Sequence, residues 1–169
     1  MKTVTRLTAI PENSVIACGF GKIDYCDTYH IIRVTNDSAA KIAAEISKPP
    51  KWVEWLMIIR DLVAGIFRLK SSKAIREGQE INFPIIGQSE NEIVMGENDK
   101  HLDFRVSILA DRVNSFIYMI TIVHFNNLLG RLYFLPVKPF HKIIVKSSLK
   151  RLLLETRPHD PVCGKSETM

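Results

Sequence analysis

Apolar positions along this chain change period twice, and the changes divide it into strands and helices. Residues 24–34 read as a strand, because Tyr25, Thr28, Tyr29, Ile31, Ile32 and Val34 supply the aromatic and β-branched side chains that a pleated surface favours. Asn36, Asp37 and Ser38 carry N-cap chemistry, which predicts a short helix over 39–46 that ends at Ser47-Lys48-Pro49-Pro50. Pro50 suits the first turn of a second helix, since its missing N–H is an orphan there anyway. Trp52, Trp55, Leu56, Ile59, Leu62, Val63 and Ile66 then recur at steps of three and four, predicting an amphipathic helix to about Leu69. From Glu80 to Phe125 the period becomes two. Turn signals at Gly87-Gln88-Ser89, Gly96-Glu97-Asn98-Asp99 and Ala110-Asp111-Arg112 divide this stretch into about four antiparallel strands. In the clearest of them, Leu102, Phe104, Val106, Ile108 and Ala110 share one face and His101, Asp103, Arg105 and Ser107 the other. After Asn126-Asn127 the pattern is helical again. Pro136 and Pro139 interrupt it, so the main C-terminal helix is expected from near Pro139 to about Glu155, with Phe140, Ile143, Ile144 and Leu152 inward.

Strand, two helices, a meander and a long helix make an α+β domain, with an antiparallel sheet of five or six strands and the C-terminal helix packed on it. A single domain over 15–156 is expected, with 1–14 as an N-terminal extension and 157–169 as a loose tail rich in Pro and charge. The 169 residues, 46% of them hydrophobic and 24% charged, are enough for one core without staples, and they exclude collagen, general disorder and a disulfide scaffold. Cys18, Cys26 and Cys163 form no Cys-x-x-Cys pair and leave an odd thiol under any pairing, which points to a reducing compartment and a cytoplasmic location. Met1 to Thr8 lacks the apolar stretch of a signal peptide, and Leu56–Phe67, broken by Arg60 and Asp61, is shorter than the roughly 20 residues of a membrane span.

The formal charge of +5 is unevenly placed. Between Arg131 and Arg157, seven basic residues face Glu155 alone, so this segment carries +6 and the remainder −1. Lys138, Lys142, Lys146 and Lys150 recur every fourth residue along one helical stripe. Such a stripe suits weak contact with an anionic surface such as lipid headgroups; read plainly, it is a solvated helix face. Without interleaved exposed aromatics it is a thin footprint for nucleic acid, and no nucleic-acid partner is expected.

Motif chemistry is sparse. Gly19-Phe20-Gly21 has Asp24 where a dinucleotide fingerprint needs its third glycine, and a strand follows, so no nucleotide cofactor is expected. There is no Gly-x-Ser-x-Gly elbow. His101 and Asp103 would offer two metal ligands on one strand face, but no third is identifiable, so no metal is expected; the plain reading of His101, Asp103 and Arg105 is a cross-strand ion-pair ladder on a solvated face. A richer constellation, His124, Asn126, Arg131, Tyr133 and His141, brackets the passage from the last strand into the C-terminal helix. These residues suit either capping of backbone groups at the junction or orientation of a ligand's polar head. Trp52, Trp55, Phe104, Tyr118 and Phe140 suit a core, or the apolar wall of a cavity.

Three stretches also resemble the bacterial family called domain of unknown function 2867: residues 50–60 (PKWVEWLMIIR), 96–107 (GENDKHLDFRVS), and 124–133 (HFNNLLGRLY) with 137–141 (VKPFH). The resemblance spans roughly Asp24 to Leu153 and implies a fold but no reaction. More distantly, the element order is similar to the helix-grip architecture of Bet v 1 and START-like proteins, in which a curved sheet wraps the C-terminal helix around a ligand cavity. The expectation is therefore a domain that binds a small apolar or amphipathic molecule between sheet and helix, with Trp55, Phe104, Arg105, Tyr118, His124, Asn126, Arg131, Tyr133 and His141 as ligand-contacting candidates. The alternatives are an enzyme on the same scaffold, with His124, His141, Tyr118 or Arg105 in acid–base or oxyanion roles, and an anionic-surface binder acting through the lysine stripe. The residues leave the oligomeric state open.

Overall fold

A computed structural model describes residues 3–7, 9–46 and 83–154. They form six strands and two helices: β1 (Thr5–Leu7), β2 (Tyr25–Ile32), α1 (Ala39–Ile46), β3 (Ile85–Gln88), β4 (Glu92–Asn98), β5 (Leu102–Asp111), β6 (Phe116–Phe125) and α2 (Leu128–Leu154). The strands make one antiparallel sheet in the order β1-β2-β6-β5-β4-β3. The predicted second helix, with Trp52 and Trp55, lies outside the described residues.

The local chemistry accounts for the elements that the pattern foretold. Ser38 caps α1, its Oγ accepting the amide of Lys41 at 3.3 Å. From α2, Arg151 Nη2 donates to the last carbonyls of α1, those of Glu45 (2.9 Å) and Ile46 (3.0 Å). The four strands of the meander are present, although the turns sit later than the glycine and Asn signals suggested: β4 continues to Asn98, and Gly87 lies within β3. Gly96 stays in the strand because a Cβ there would run into the Phe104 carbonyl of the neighbouring β5.

The C-terminal helix is longer than the prolines predicted. It starts at Leu128 and runs 27 residues, with Pro136 and Pro139 inside it. A proline in a helix interior removes one backbone bond and costs about 3 kcal/mol in isolation. Here both prolines are exposed, and so are Leu132 and Leu135, so the carbonyls left without a helical N–H are open to water instead. The buried face of α2, carrying Gly130, Phe134, Val145, Leu149, Leu152 and Leu153, holds the helix together across the break. That face also corrects the expected inward set: Leu152 is buried, but Phe140 and Ile143 are exposed.

The sheet has two covered faces. On one, Tyr29, Ile31, Ile93, Ile108, Ala110 and Ile117 pack against Ala39, Ile42 and Ile46 of α1 and Val145, Leu149 and Leu152 of α2. Near the start of α2, Phe134 packs with Tyr25 and Val123. On the other, Val94, Leu109, Ile120 and Ile122 are covered by Ile16, with Ile10 and Phe20 beside it. The N-terminal residues thus do structural work at both ends: 5–7 add the edge strand β1, and 10–20 cover the outer face.

Candidate functional site

The covering of the outer face depends on two charges, one buried and one half-buried. Glu92 on β4 is only 3% exposed, and its carboxylate accepts from the hydroxyls of Ser107 (2.5 Å) and Ser14 (2.6 Å) and from the amide of Val15 (2.8 Å). Arg105 on β5 donates to the carbonyls of Ile16 (3.0 Å) and Cys18 (2.6 Å), and its guanidinium lies over the Phe20 ring. The ion-pair ladder expected for His101, Asp103 and Arg105 does not form. His101 meets Asn127, Asp103 accepts from the Asp99 amide and Asn126, and Arg105 clamps residues 16–19.

The strand-to-helix junction is held in part by groups that sequence spacing singled out there, Asn126, His124 and Arg131, and in part by Asn127 and Asp24, which it did not. Asn127 Oδ1 accepts from the Gly130 amide and so caps α2, while Asn126 Nδ2 donates to the Asp99 carbonyl at 2.8 Å. Gly130 packs so closely on the β4–β5 turn that a Cβ would meet the His101 carbonyl. Asp24, just before β2, accepts from His124 Nδ1 (2.7 Å), the Phe125 amide (3.0 Å) and Lys22 (3.0 Å), with Arg131 at 3.9 Å. The Phe125 amide first, then Lys22 and His124, hold the Asp24 carboxyl far below the usual carboxylate range.

A different cluster lies on the helix-covered face. Strand alternation places Tyr25, Asp27 and Tyr29 side by side there, and the β1–β2 register adds Arg6 opposite Tyr29. Asp27 is 1% exposed; its Oδ1 accepts from Arg6 Nε (2.7 Å) and its Oδ2 from the Tyr25 hydroxyl (2.8 Å). Above it stands His141 of α2, whose Nε2 is buried with no hydrogen-bond partner. The Tyr29 hydroxyl is likewise buried with no partner at full hydrogen-bond distance, although it lies near enough to Asp27 to feel a weak pull toward that carboxylate. Burial lowers the pKa of His141, outweighing the upward pull of the Asp27 charge, so its ring is neutral at pH 7. Burial and the same Asp27 charge raise Tyr29, and burial with the Asp27 hydrogen bond raises Tyr25 more strongly. Lys138 and Lys146 fold back over this strand, their ammonium groups 5.0 and 5.8 Å from the Tyr25 and Tyr29 ring centres. The lysine stripe is thus partly spent on aromatic faces.

Of the sequence candidates, Phe104 and His141 lie on the helix-covered face. Arg105 and Tyr118 lie on the outer face, and strand alternation puts His124 there too. His124 and His141 therefore sit on opposite sides of the sheet, and the structure does not bring them together for joint acid–base work. Arg131 sits by Asp24, its guanidinium over the Phe125 ring, and Asn126 ties down the β4–β5 turn. Tyr133 is half-buried in the first turns of α2, and Trp55 falls outside the described residues. The spacing argument missed Arg6, Tyr25, Asp27 and Tyr29. A signal was present: an Asp flanked at two-residue steps by inward Tyr25, Tyr29 and Ile31 is a charge on the buried face of a strand.

Fold and site together define an α+β domain in which a long C-terminal helix closes over a buried carboxylate, two phenols and an imidazole. Among the described residues no helix is long and apolar enough to cross a membrane, and no group of three metal-ligating side chains gathers. The chain belongs to the family described as protein of unknown function (DUF2867), whose model matches residues 20–148. No curated protein and no solved structure matches it.

Proposed function

We propose that this protein binds a small amphipathic molecule between its sheet and α2, in the manner of helix-grip domains, with the polar end of the ligand at Tyr29 and His141. One observation carries the reading: two buried polar atoms outside hydrogen-bond distance of any partner, Tyr29 Oη and His141 Nε2, both feel the charge of one buried carboxylate, Asp27, under the helix. A buried polar group without a hydrogen bond costs about 1–3 kcal/mol, and two around one buried carboxylate favour a site built to receive something. Phe104, Val123 and Phe134 supply apolar wall beside Tyr25 on the same face.

The test is saturable binding of the neutral fluorescent probe phenylnaphthylamine to the purified full chain, with native mass spectrometry of the protein as isolated. The reading expects one saturable site and a co-purifying small molecule. Absence of saturable probe binding, together with a bare mass, rejects it.

A further inference from the structure

The first two-thirds of α2 is apolar on the side that faces away from the sheet, where a solvated helix would be polar. Leu128, Leu132, Leu135 and Ile143 are each more than half exposed, and Leu129 and Phe140 are exposed as well. With Pro136 and Pro139 they fill an arc of about 140° at about 100° per residue, on the far side of the helix from the buried Gly130, Phe134 and Val145. A scattered exposed leucine is ordinary, but an unbroken apolar face of about four turns is an interaction surface. The cations of the helix border it. Arg131, Lys138 and Lys142 follow one margin, Lys146 and Lys150 continue the line of the face beyond Ile143, and no acidic residue occurs anywhere in α2. Lys138 and Lys146 lie over tyrosine rings, contacts that leave their charge in place. This pairing of apolar face and positive border selects among occupants. A second copy of the chain, packed face to face, would bring two such rows of cations together. Residues 47–82, with seven basic and four acidic side chains, carry +3 and offer no complementary charge either. An anionic lipid surface supplies both needs, a negative layer for the cations and an acyl boundary for the leucines and Phe140. Among the described residues no helix is long and apolar enough to cross a membrane, and the arrangement is that of a helix lying in the interface plane. We propose that α2 docks the protein on an anionic lipid surface, with Leu128, Leu132, Leu135 and Ile143 set into the headgroup boundary and the bordering cations against the lipid charges, a contact independent of the ligand-binding reading above.

Co-sedimentation of the full chain at low and high salt, with vesicles of phosphatidylcholine alone or with about one-third phosphatidylserine, tests the contact. At low salt the serine-containing vesicles should bind at least about tenfold more tightly, since attraction at such a surface is about fivefold per cation, and high salt should remove most of the difference. Leu132→Gln/Leu135→Gln should weaken vesicle binding at least about tenfold while the urea unfolding midpoint stays unchanged, because both side chains are exposed. Lys142→Gln/Lys150→Gln should cut the preference for phosphatidylserine by about fivefold or more and leave binding to pure phosphatidylcholine unchanged. No binding to serine-containing vesicles at low salt, equal binding to both vesicle types, or binding that survives the leucine double variant overturns the proposal. So does a leucine double variant that loses stability in urea, which assigns the face to the chain's own residues, or one that turns a dimer into a monomer in sedimentation velocity, which assigns it to a second copy.

Discussion

The two faces of the sheet bury charge in contrasting ways. On the outer face Glu92 has three donors and Arg105 two close carbonyls, nearly all from residues 14–18, so these charges are spent on fastening one segment of chain to the sheet. Under α2 the carboxylate of Asp27 is equally well served, yet the hydroxyl and the imidazole beside it are not. The outer face also has unpartnered buried nitrogens, His30 Nδ1, packed against the rings of Phe116 and Tyr118, and Arg105 Nε, whose guanidinium is held by its other nitrogens. Saturated polar groups hold structure; unsaturated ones gathered about a buried carboxylate are the ones a ligand could satisfy.

Substitutions on the two faces should therefore behave differently. Glu92→Ala strands three donors and should cost the most, about 3 kcal/mol in urea unfolding, and make residues 10–20 susceptible to proteolysis. A loss under about 1 kcal/mol would break the contrast at its stronger end. Arg105→Met keeps the apolar stem but frees the carbonyls of residues 16 and 18, and should cost about 2 kcal/mol by the same measurement. His141→Phe removes an unpartnered nitrogen, so its stability should stay level or rise by about 1 kcal/mol while probe affinity falls at least about tenfold. Destabilisation with unchanged binding would make His141 a packing residue only.

The smallest effect is in pH dependence. His141 has a lowered pKa in the folded protein, so the unfolded chain takes up that proton first and stability falls as pH drops below the ordinary histidine value of about 6.5. His30, also lowered by burial, acts in the same direction, so the difference between wild type and His141→Phe isolates the His141 share. Asp24 works in a separate window: its depressed carboxyl adds stability at neutral pH that is lost only on acidification below about 4. Parallel pH-stability curves for wild type and His141→Phe between about 7 and 5 would contradict the placement of His141.

Much of the fold was legible because its determinants are local. Ser38 and the apolar run behind it define α1, and period-two alternation defines β4, β5 and β6. The first third of α2 was hidden by Pro136 and Pro139, whose local cost is outweighed by burial of Phe134 and the helix beyond. The site was less legible. His141 was named from its place after the last strand, but Asp27 acquires its meaning only from the register that sets Arg6 on β1 against Tyr29 on β2, and from the helix that lays His141 above. The same limit explains Arg105 and Tyr118: alternation told which residues share a face, but not which face the helix would cover.

The central claim is tested most directly by nitrogen NMR of the histidine side chains in uniformly ¹⁵N-labelled protein titrated with decanol. The account predicts a saturable shift of the His141 ring nitrogens, with those of His101 and His124, which are tied to Asn127 and Asp24, unmoved. Saturation that moves His124 and leaves His141 unchanged, or a titration that moves neither, would contradict it.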